Sequence, residues 1–426
     1  MRVEAWLPRA AAAHPHRPAA GDLTYSELLS AARAGAADLS AHGVRAGDRV
    51  AITAPAGVLF AVALHSCLLH GAIAVPVDRR LRPAEATRAA EGAAITVGTA
   101  RVTAWADLGP GPVTAEQHEL DATAIVVHTS GTTADPQPVE LTYGNWLWSA
   151  LGSAASLGVD VNERWLCCLP LSHVGGLSIL LRSAIYGTTA IVHERFETAR
   201  VLAELRDPAG PTLVSLVPTT LSRLLDAGLR EPPSLRWALL GGAAISGSLL
   251  ERAAAAGVPV APTYGMTESC SQVATSGRAL FCTRVESAAD GELFVSGPTV
   301  APAYGPRLAT GDLGVISESG TITITGRKAD TIITGGENVA PQEVEDVLCA
   351  HPAVTEAAVY GRPDEQWGEA LVAVVVLRAE ANATAEELEA FCASQLAAFK
   401  VPKELQFVTT LPKTSSGKLL RRELGK

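Results

Sequence analysis

The feature that most limits the fold is a regular alternation between amphipathic helical stretches and short apolar, β-branched runs. Tyr25 to His42 carries its apolar residues at helical spacing, with Thr24 placed as an N-cap. Arg49–Thr53 then reads as a strand, Val58–Leu69 as a helix and Ile73–Val77 as another strand. Similar apolar runs recur at 124–128, 165–169, 189–193, 212–217, 237–240 and 258–261. Strands separated by helices pair in parallel, so this pattern predicts a layered α/β domain with parallel-rich sheets. From Gly291 the texture changes to short β-type runs at 292–296, 315–317 and 321–325. A compact α+β pattern closes the chain: helical 339–349, strands 354–360 and 371–377, helical 385–398. A boundary near Gly326 gives a large domain, 1–325, and a small one, 326–426.

Composition narrows the function classes. Apolar residues make up 48% of the 426 and charged residues 18%, the reverse of a disordered chain. The net charge of −10 argues against a nucleic-acid binder. That charge is uneven, since Lys400 to Lys426 holds seven basic and two acidic residues. All six lysines (Lys328, Lys400, Lys403, Lys413, Lys418 and Lys426) lie in the last quarter, so lysine chemistry must come from there. An arginine-biased genome also accounts for this usage. Seven cysteines without a CxxC pair read as reduced thiols of a cytoplasmic protein. No signal peptide is expected at the N-terminus. The uncharged stretch Ala51–Val77 is long enough for a membrane span, but Pro55, Gly57, Gly71 and Pro76 break it into buried strand, helix and strand.

Five motifs carry chemistry. The strand Ala124–His128 runs into Thr129-Ser-Gly-Thr-Thr133, where hydroxyls and exposed N–H groups around Gly131 can cradle phosphate oxygens. It is not the GxxxxGK[ST] loop, and an ordinary Ser/Thr-rich turn reads equally well. A helix is expected from about Thr142. Thr263-Tyr-Gly-Met-Thr-Glu268 places an aromatic that can stack on a base, a hydroxyl (Thr267) for a phosphate and a hard oxygen ligand (Glu268) for Mg²⁺ within six residues. Singly, Tyr264 is as well a core residue and Glu268 a solvated carboxylate. In Thr310-Gly-Asp312 and Gly326-Arg327, a carboxylate can accept both hydroxyls of a ribose and a guanidinium can reach the same sugar; a turn ion pair is the alternative. The pair Gly335-Gly336 permits close approach to the backbone. Finally, Pro412 and Gly417 frame a turn that can present Lys418 to a phosphoryl or carboxylate oxygen.

In this order and spacing, the motifs resemble the adenylate-forming superfamily of acyl-CoA synthetases, luciferases and peptide-synthetase adenylation domains. The resemblance spans nearly the whole chain, from Leu23-Thr-Tyr through Gly71-Ala-Ile-Ala-Val-Pro-Val-Asp78 to Lys418. Cys168-Leu-Pro-Leu-Ser-His-Val-Gly-Gly-Leu and Tyr264-Gly-Met-Thr-Glu-Ser-Cys-Ser-Gln272 look most like the o-succinylbenzoate–CoA ligase branch of menaquinone biosynthesis.

The resemblance implies an ATP- and Mg²⁺-dependent ligase that forms an acyl-adenylate and then a thioester with coenzyme A. It implies that Thr129, Ser130, Gly131, Thr132 and Thr133 hold the ATP phosphates, that Gly241, Gly242 and Ala243 enclose the adenine with Tyr264, and that Thr263 and Gly265 also belong to the ATP site. Asp312 and Arg327 would bind ribose, Glu268 the metal beside Thr267, and Lys418 the carboxylate and α-phosphate. Residues 328–330 would be the hinge of a mobile small domain, with Gly335 and Gly336 along the CoA channel. For a dicarboxylic acid, His173 would gate the pocket, and Arg182, Ser271 and Gln272 are candidate partners of the second carboxylate; a capping or core His173 and a packed or solvated Arg182 are the alternatives. The family loop usually reads Gly-x-Pro-Lys where this chain has Ala134-Asp-Pro-Gln137. Rival expectations are a ligase for another aromatic or short acid, an enzyme that serves a carrier protein, and a non-catalytic nucleotide-binding protein. The expected partners are a small carboxylic acid, ATP and CoA, with no nucleic acid and no integral membrane association. An isologous homodimer is a base-rate expectation.

Overall fold

The protein is described by a computed structural model covering residues 1–109, 111, 115–129, 137–378, 381–413 and 419–425. The first sheet has five strands in the order Ala93–Val97, Arg49–Ile52, Ile73–Pro76, Thr123–Thr129 and Gln137–Thr142. The first four run parallel and the last returns antiparallel. The helix Val58–His70 is buried along every face from Phe60 to His70, which is why its sequence is apolar all round.

A second sheet of nine strands has a parallel centre, running from Val260–Met266 through Trp237–Leu240, Leu213–Leu216, Arg164–Cys167 and Thr189–Val192 to Pro18–Ala20. Antiparallel strands finish both edges. Thr24 caps the helix Tyr25–Ala41 as expected, in a reciprocal capping box with Glu27. A four-stranded antiparallel sheet follows, built from Arg284–Ser287, Glu292–Ser296, Leu308–Ile316 and Ile322–Arg327.

The last sheet joins Glu337–Val339, Ile332–Thr334, Gly368–Leu377, Val354–Asp364 and Glu404–Phe407. Helices Pro341–Ala350 and Ala385–Gln395 cover it through a separate core that includes Val344, Leu348, Leu371, Leu388 and Cys392. The expected α/β architecture, with a large N-terminal and a smaller C-terminal unit, is therefore present. No helix among the described residues is long and apolar enough to cross a membrane.

The helix expected from about Thr142 starts at Tyr143 with Thr142 as its cap, but the strand Gln137–Thr142 ahead of it has no counterpart in the sequence pattern, and two local readings change. The strand expected at 258–261 runs on to Met266, so Thr263 to Met266 are strand and only Thr267–Ser269 form a 3₁₀ turn. Glu337–Val339 pairs as a strand, and the helix expected from Val339 waits for Pro341, whose fixed φ suits a first helical position.

Candidate active site

The carboxyl ends of the parallel strands, where open α/β sheets bind ligands, deliver several of the singled-out residues. Gly241 and Gly242 follow the strand Trp237–Leu240, beside Thr263 on the neighbouring strand. A β-carbon on Gly241 would stand 2.8 Å from the Thr263 carbonyl oxygen, and Gly242 has φ +81°. Gly241 thus lets this backbone lie against Thr263, and Gly242 supplies the left-handed turn that follows. Ala243 follows directly.

Tyr264, Asp312 and Arg327 form one hydrogen-bonded unit. The Tyr264 hydroxyl donates to Asp312 Oδ2 at 2.7 Å, and Arg327 Nε lies 2.8 Å from Asp312 Oδ1. Asp312 and Arg327 are register partners in adjacent strands, so the pairing is fixed by the sheet. Asp312 is buried, and its N–H donates to Thr310 Oγ1 at 3.0 Å. Burial first, and the Asp312 charge second, push the Tyr264 phenol well above its ordinary value, so it stays a donor.

The turn after Tyr264 is unusual. A bulge separates Tyr264 from Gly265, and a β-carbon on Gly265 would fall 1.8 Å from the Ser271 carbonyl oxygen. Cys270 and Ser271 are non-glycine residues at φ 54° and 91°. Between these fixed points Glu268 accepts the Ala301 N–H on its carbonyl at 2.8 Å. Its carboxylate makes no hydrogen bond or ion pair with any described residue. A half-buried carboxylate without a partner among the described residues is a hard oxygen donor of the type magnesium takes.

His173 precedes the helix Val174–Tyr186 and makes no side-chain cap, so the capping alternative falls. Its Nε2 lies 3.9 Å from Asp78 Oδ2, which also accepts Ser172 Oγ at 3.1 Å. Although burial opposes it, hydrogen bonds from Arg80 hold the Asp78 carboxyl down to about 2. Burial lowers His173, so its ring is neutral at pH 7.

Farther along that helix Arg182 is 1% exposed. One of its Nη2 hydrogens goes to Ser149 Oγ at 3.1 Å, and its guanidinium lies 5.5 Å from the Trp165 ring centre. Nε and Nη1 have no acceptor, and no carboxylate pairs with Arg182 among the described residues. The alternative of a solvated arginine is excluded. Gln272 is buried, with Nε2 donating to Thr275 Oγ1 at 2.8 Å and Oε1 unpaired. Ser271 opens the same strand.

Other singled-out residues form their hydrogen bonds elsewhere or lie outside the described residues. Thr129 ends its strand, with its hydroxyl donating to the Gln137 carbonyl at 3.3 Å. Ser130, Gly131, Thr132, Thr133 and Lys418 lie outside the described residues. Gly335 and Gly336 turn at φ +59° and +85° in the small domain's sheet, and Gly335 N–H donates to the Trp367 carbonyl at 2.7 Å. Lys328 is tied to Asp290 at 2.7 Å and Glu292 at 2.8 Å. Neither Ser149 nor Trp367 is singled out by the sequence, and Asp78 is so only through its motif. An exposed tryptophan in a polar loop is the one local signal among them.

These elements define an AMP-binding enzyme. The AMP-binding enzyme family matches residues 7–102 and 95–305, and the AMP-binding enzyme C-terminal domain matches 343–418, so the chain belongs to that family. Among its relatives is the 2-succinylbenzoate–CoA ligase of Bacillus subtilis strain 168, 36% identical over 98% of this chain and 97% of that protein. The o-succinylbenzoate CoA synthetase of Bacillus subtilis in complex with its acyl-adenylate intermediate superposes with TM-score 0.91 at 34% identity, covering 100% of this chain and 99% of that one. The same enzyme with ATP and magnesium gives 0.90 at 34% identity, covering 100% of both chains.

Proposed function

We propose that this chain is an ATP-dependent acid–CoA ligase that converts 2-succinylbenzoate into 2-succinylbenzoyl-CoA through an acyl-adenylate. The observation that carries the substrate is Arg182. A fully buried guanidinium without a carboxylate is costly, and a dicarboxylic acid supplies the missing anion when it binds. The reactive carboxylate then passes neutral His173 to meet the α-phosphate, while the ring carboxylate sits on Arg182 near Ser271 and Gln272.

Attack of one anion on another requires charge neutralisation and alignment. Gly241–Ala243 and Tyr264 hold the adenine, Asp312 and Arg327 the ribose, and Thr129–Thr133 the phosphates. Tyr264 and Arg327 each use one lone pair of an Asp312 oxygen, which leaves others for the sugar hydroxyls. A magnesium ion at Glu268 neutralises phosphate charge when bound. Lys418 supplies the cation for adenylation, and rotation of the small domain, divided near Gly326, replaces it with the Gly335–Gly336 channel for CoA. Seven free thiols support a cytoplasmic setting. The homodimer belongs to the same reading and is read by sedimentation.

The test is mass-spectrometric detection of products from ATP, Mg²⁺, CoA and 2-succinylbenzoate, beside Lys418→Ala. A new CoA thioester that vanishes in the variant is expected. Thioesters formed only with other acids would discard the substrate, and no adenylate from any acid would discard the ligase.

A further inference from the structure

The helix Tyr143–Leu157 presents two polar residues four positions apart, Asn145 and Ser149, hence on one face. Both are buried, and both reach carbonyl groups on either side of the Glu268 turn. Asn145 Nδ2 donates to Pro298 O at 2.9 Å and Val300 O at 3.0 Å, just ahead of Ala301, whose N–H binds the Glu268 carbonyl. Ser149 Oγ donates to the Cys270 carbonyl at 2.7 Å, at the left-handed residue that ends the turn.

The direction of the Ser149 bonds is fixed by what each group owns. Arginine has only donors, so the Arg182 Nη2–Ser149 contact makes Ser149 the acceptor. The single hydroxyl hydrogen therefore goes to Cys270. A chain of bonds runs from Arg182 through Ser149 to the backbone beside Ser271, and it leaves Arg182 Nε and Nη1 open.

We infer that Ser149 is a positioning residue for substrate selection: it holds the Arg182 guanidinium in the orientation that receives the ring carboxylate of a dicarboxylic acid. The inference rests on the proposed role of Arg182. Among the described residues the Ser149 hydroxyl is the one hydrogen-bond partner of an Arg182 side chain without an ion pair, so losing it loosens the guanidinium and frees the Cys270 carbonyl as a competing acceptor.

The experiment compares kcat/KM for 2-succinylbenzoate and for 4-oxo-4-phenylbutanoate, the same acid without its ring carboxylate. Wild type, Ser149→Ala and Arg182→Met are measured side by side. Ser149→Ala is expected to lower the ratio of the two values about tenfold, through KM for the dicarboxylate, while the monocarboxylate changes by less than about threefold. Ser149→Thr, which keeps the hydroxyl, should keep the wild-type ratio. If Ser149→Ala does not fold, Ser149→Cys carries the same expectation with a weaker donor and acceptor. Equal losses on both acids, or an unchanged ratio, would overturn the inference. A ratio that collapses in Arg182→Met but not in Ser149→Ala removes the role of Ser149 alone, whereas an unchanged ratio in Arg182→Met removes the Arg182 reading and this inference with it.

Discussion

Tyr264 and Asp312, 48 residues apart, are joined by a 2.7 Å hydrogen bond whose acceptor carboxylate is shared with Arg327. The phenol keeps its proton at any working pH, because burial and the neighbouring carboxylate both disfavour the phenolate. Tyr264→Phe removes one bond to a buried charge, worth about 1.5–3 kcal/mol. The expected result is a KM for ATP about tenfold or more above wild type, with KM for the acid little changed. Steady-state kinetics with each substrate varied in turn checks this. An effect on the acid alone would separate Tyr264 from the nucleotide.

Gly265 tests whether the Glu268 turn tolerates any side chain. With a β-carbon only 1.8 Å from the Ser271 carbonyl oxygen, Gly265→Ala must displace backbone that is already bulged and followed by two left-handed residues. A loss of adenylation exceeding about a hundredfold is expected, since a misplacement of about 1 Å has that effect on a positioned reaction. Pyrophosphate exchange measures it, with circular dichroism confirming that the rest of the chain is folded. Near-wild-type exchange would mean that the turn can move without cost.

What could be foreseen in the chain was local. The Thr24 cap, the buried helix after Gly57 and the parallel strands each follow from residues within a few positions of one another. The strand Gln137–Thr142 was missed because its identity comes from pairing with Thr123–Thr129, not from its own mixed polarity. Motif chemistry placed Gly265 in a nucleotide motif but gave no sign of the Ser271 carbonyl as its neighbour. Ser149 meets Cys270 across 121 positions and Ser172 meets Asp78 across 94. A serine on a helix carries no mark of such a partner, so these roles appear only once the sheets bring the segments together.

Acid stability draws on the buried histidines of the large domain, of which two are shifted furthest. Burial pushes both His65 and His118 down to about 4. His118 Nε2 accepts the Trp6 N–H at 3.3 Å, and its ring stacks on Tyr143 with centroids 4.3 Å apart. The folded-state values lie below the unfolded value of about 6.5, so the folded state resists protonation. Their contribution is complete above pH 6.5 or so and is lost as pH falls from there toward 4. Each shift corresponds to about 3 kcal/mol at full loss. Thermal melts between pH 7.5 and 4.5 should show a steep fall in Tm, made shallower by His118→Gln. A flat profile over this range would show that neither ring is protonated on unfolding.

Gln137 offers a gain-of-function test of the phosphate loop. It occupies the position where related loops carry lysine, and no lysine precedes Lys328 to replace that charge. Its register partner is Thr129, the first residue of the segment proposed to hold the phosphates. A charged donor to a phosphate oxygen exceeds a neutral one by about 1–2 kcal/mol. Gln137→Lys is therefore expected to lower KM for ATP by about five- to thirtyfold, with kcat changed far less, because the added contact is made equally in the bound ground state and the transition state. The gain should shrink as ionic strength rises, as expected of a partly exposed ion pair. ATP titrations of both proteins at two salt concentrations measure it. A KM that does not fall, or that falls without any salt dependence, would show that position 137 does not reach the phosphates.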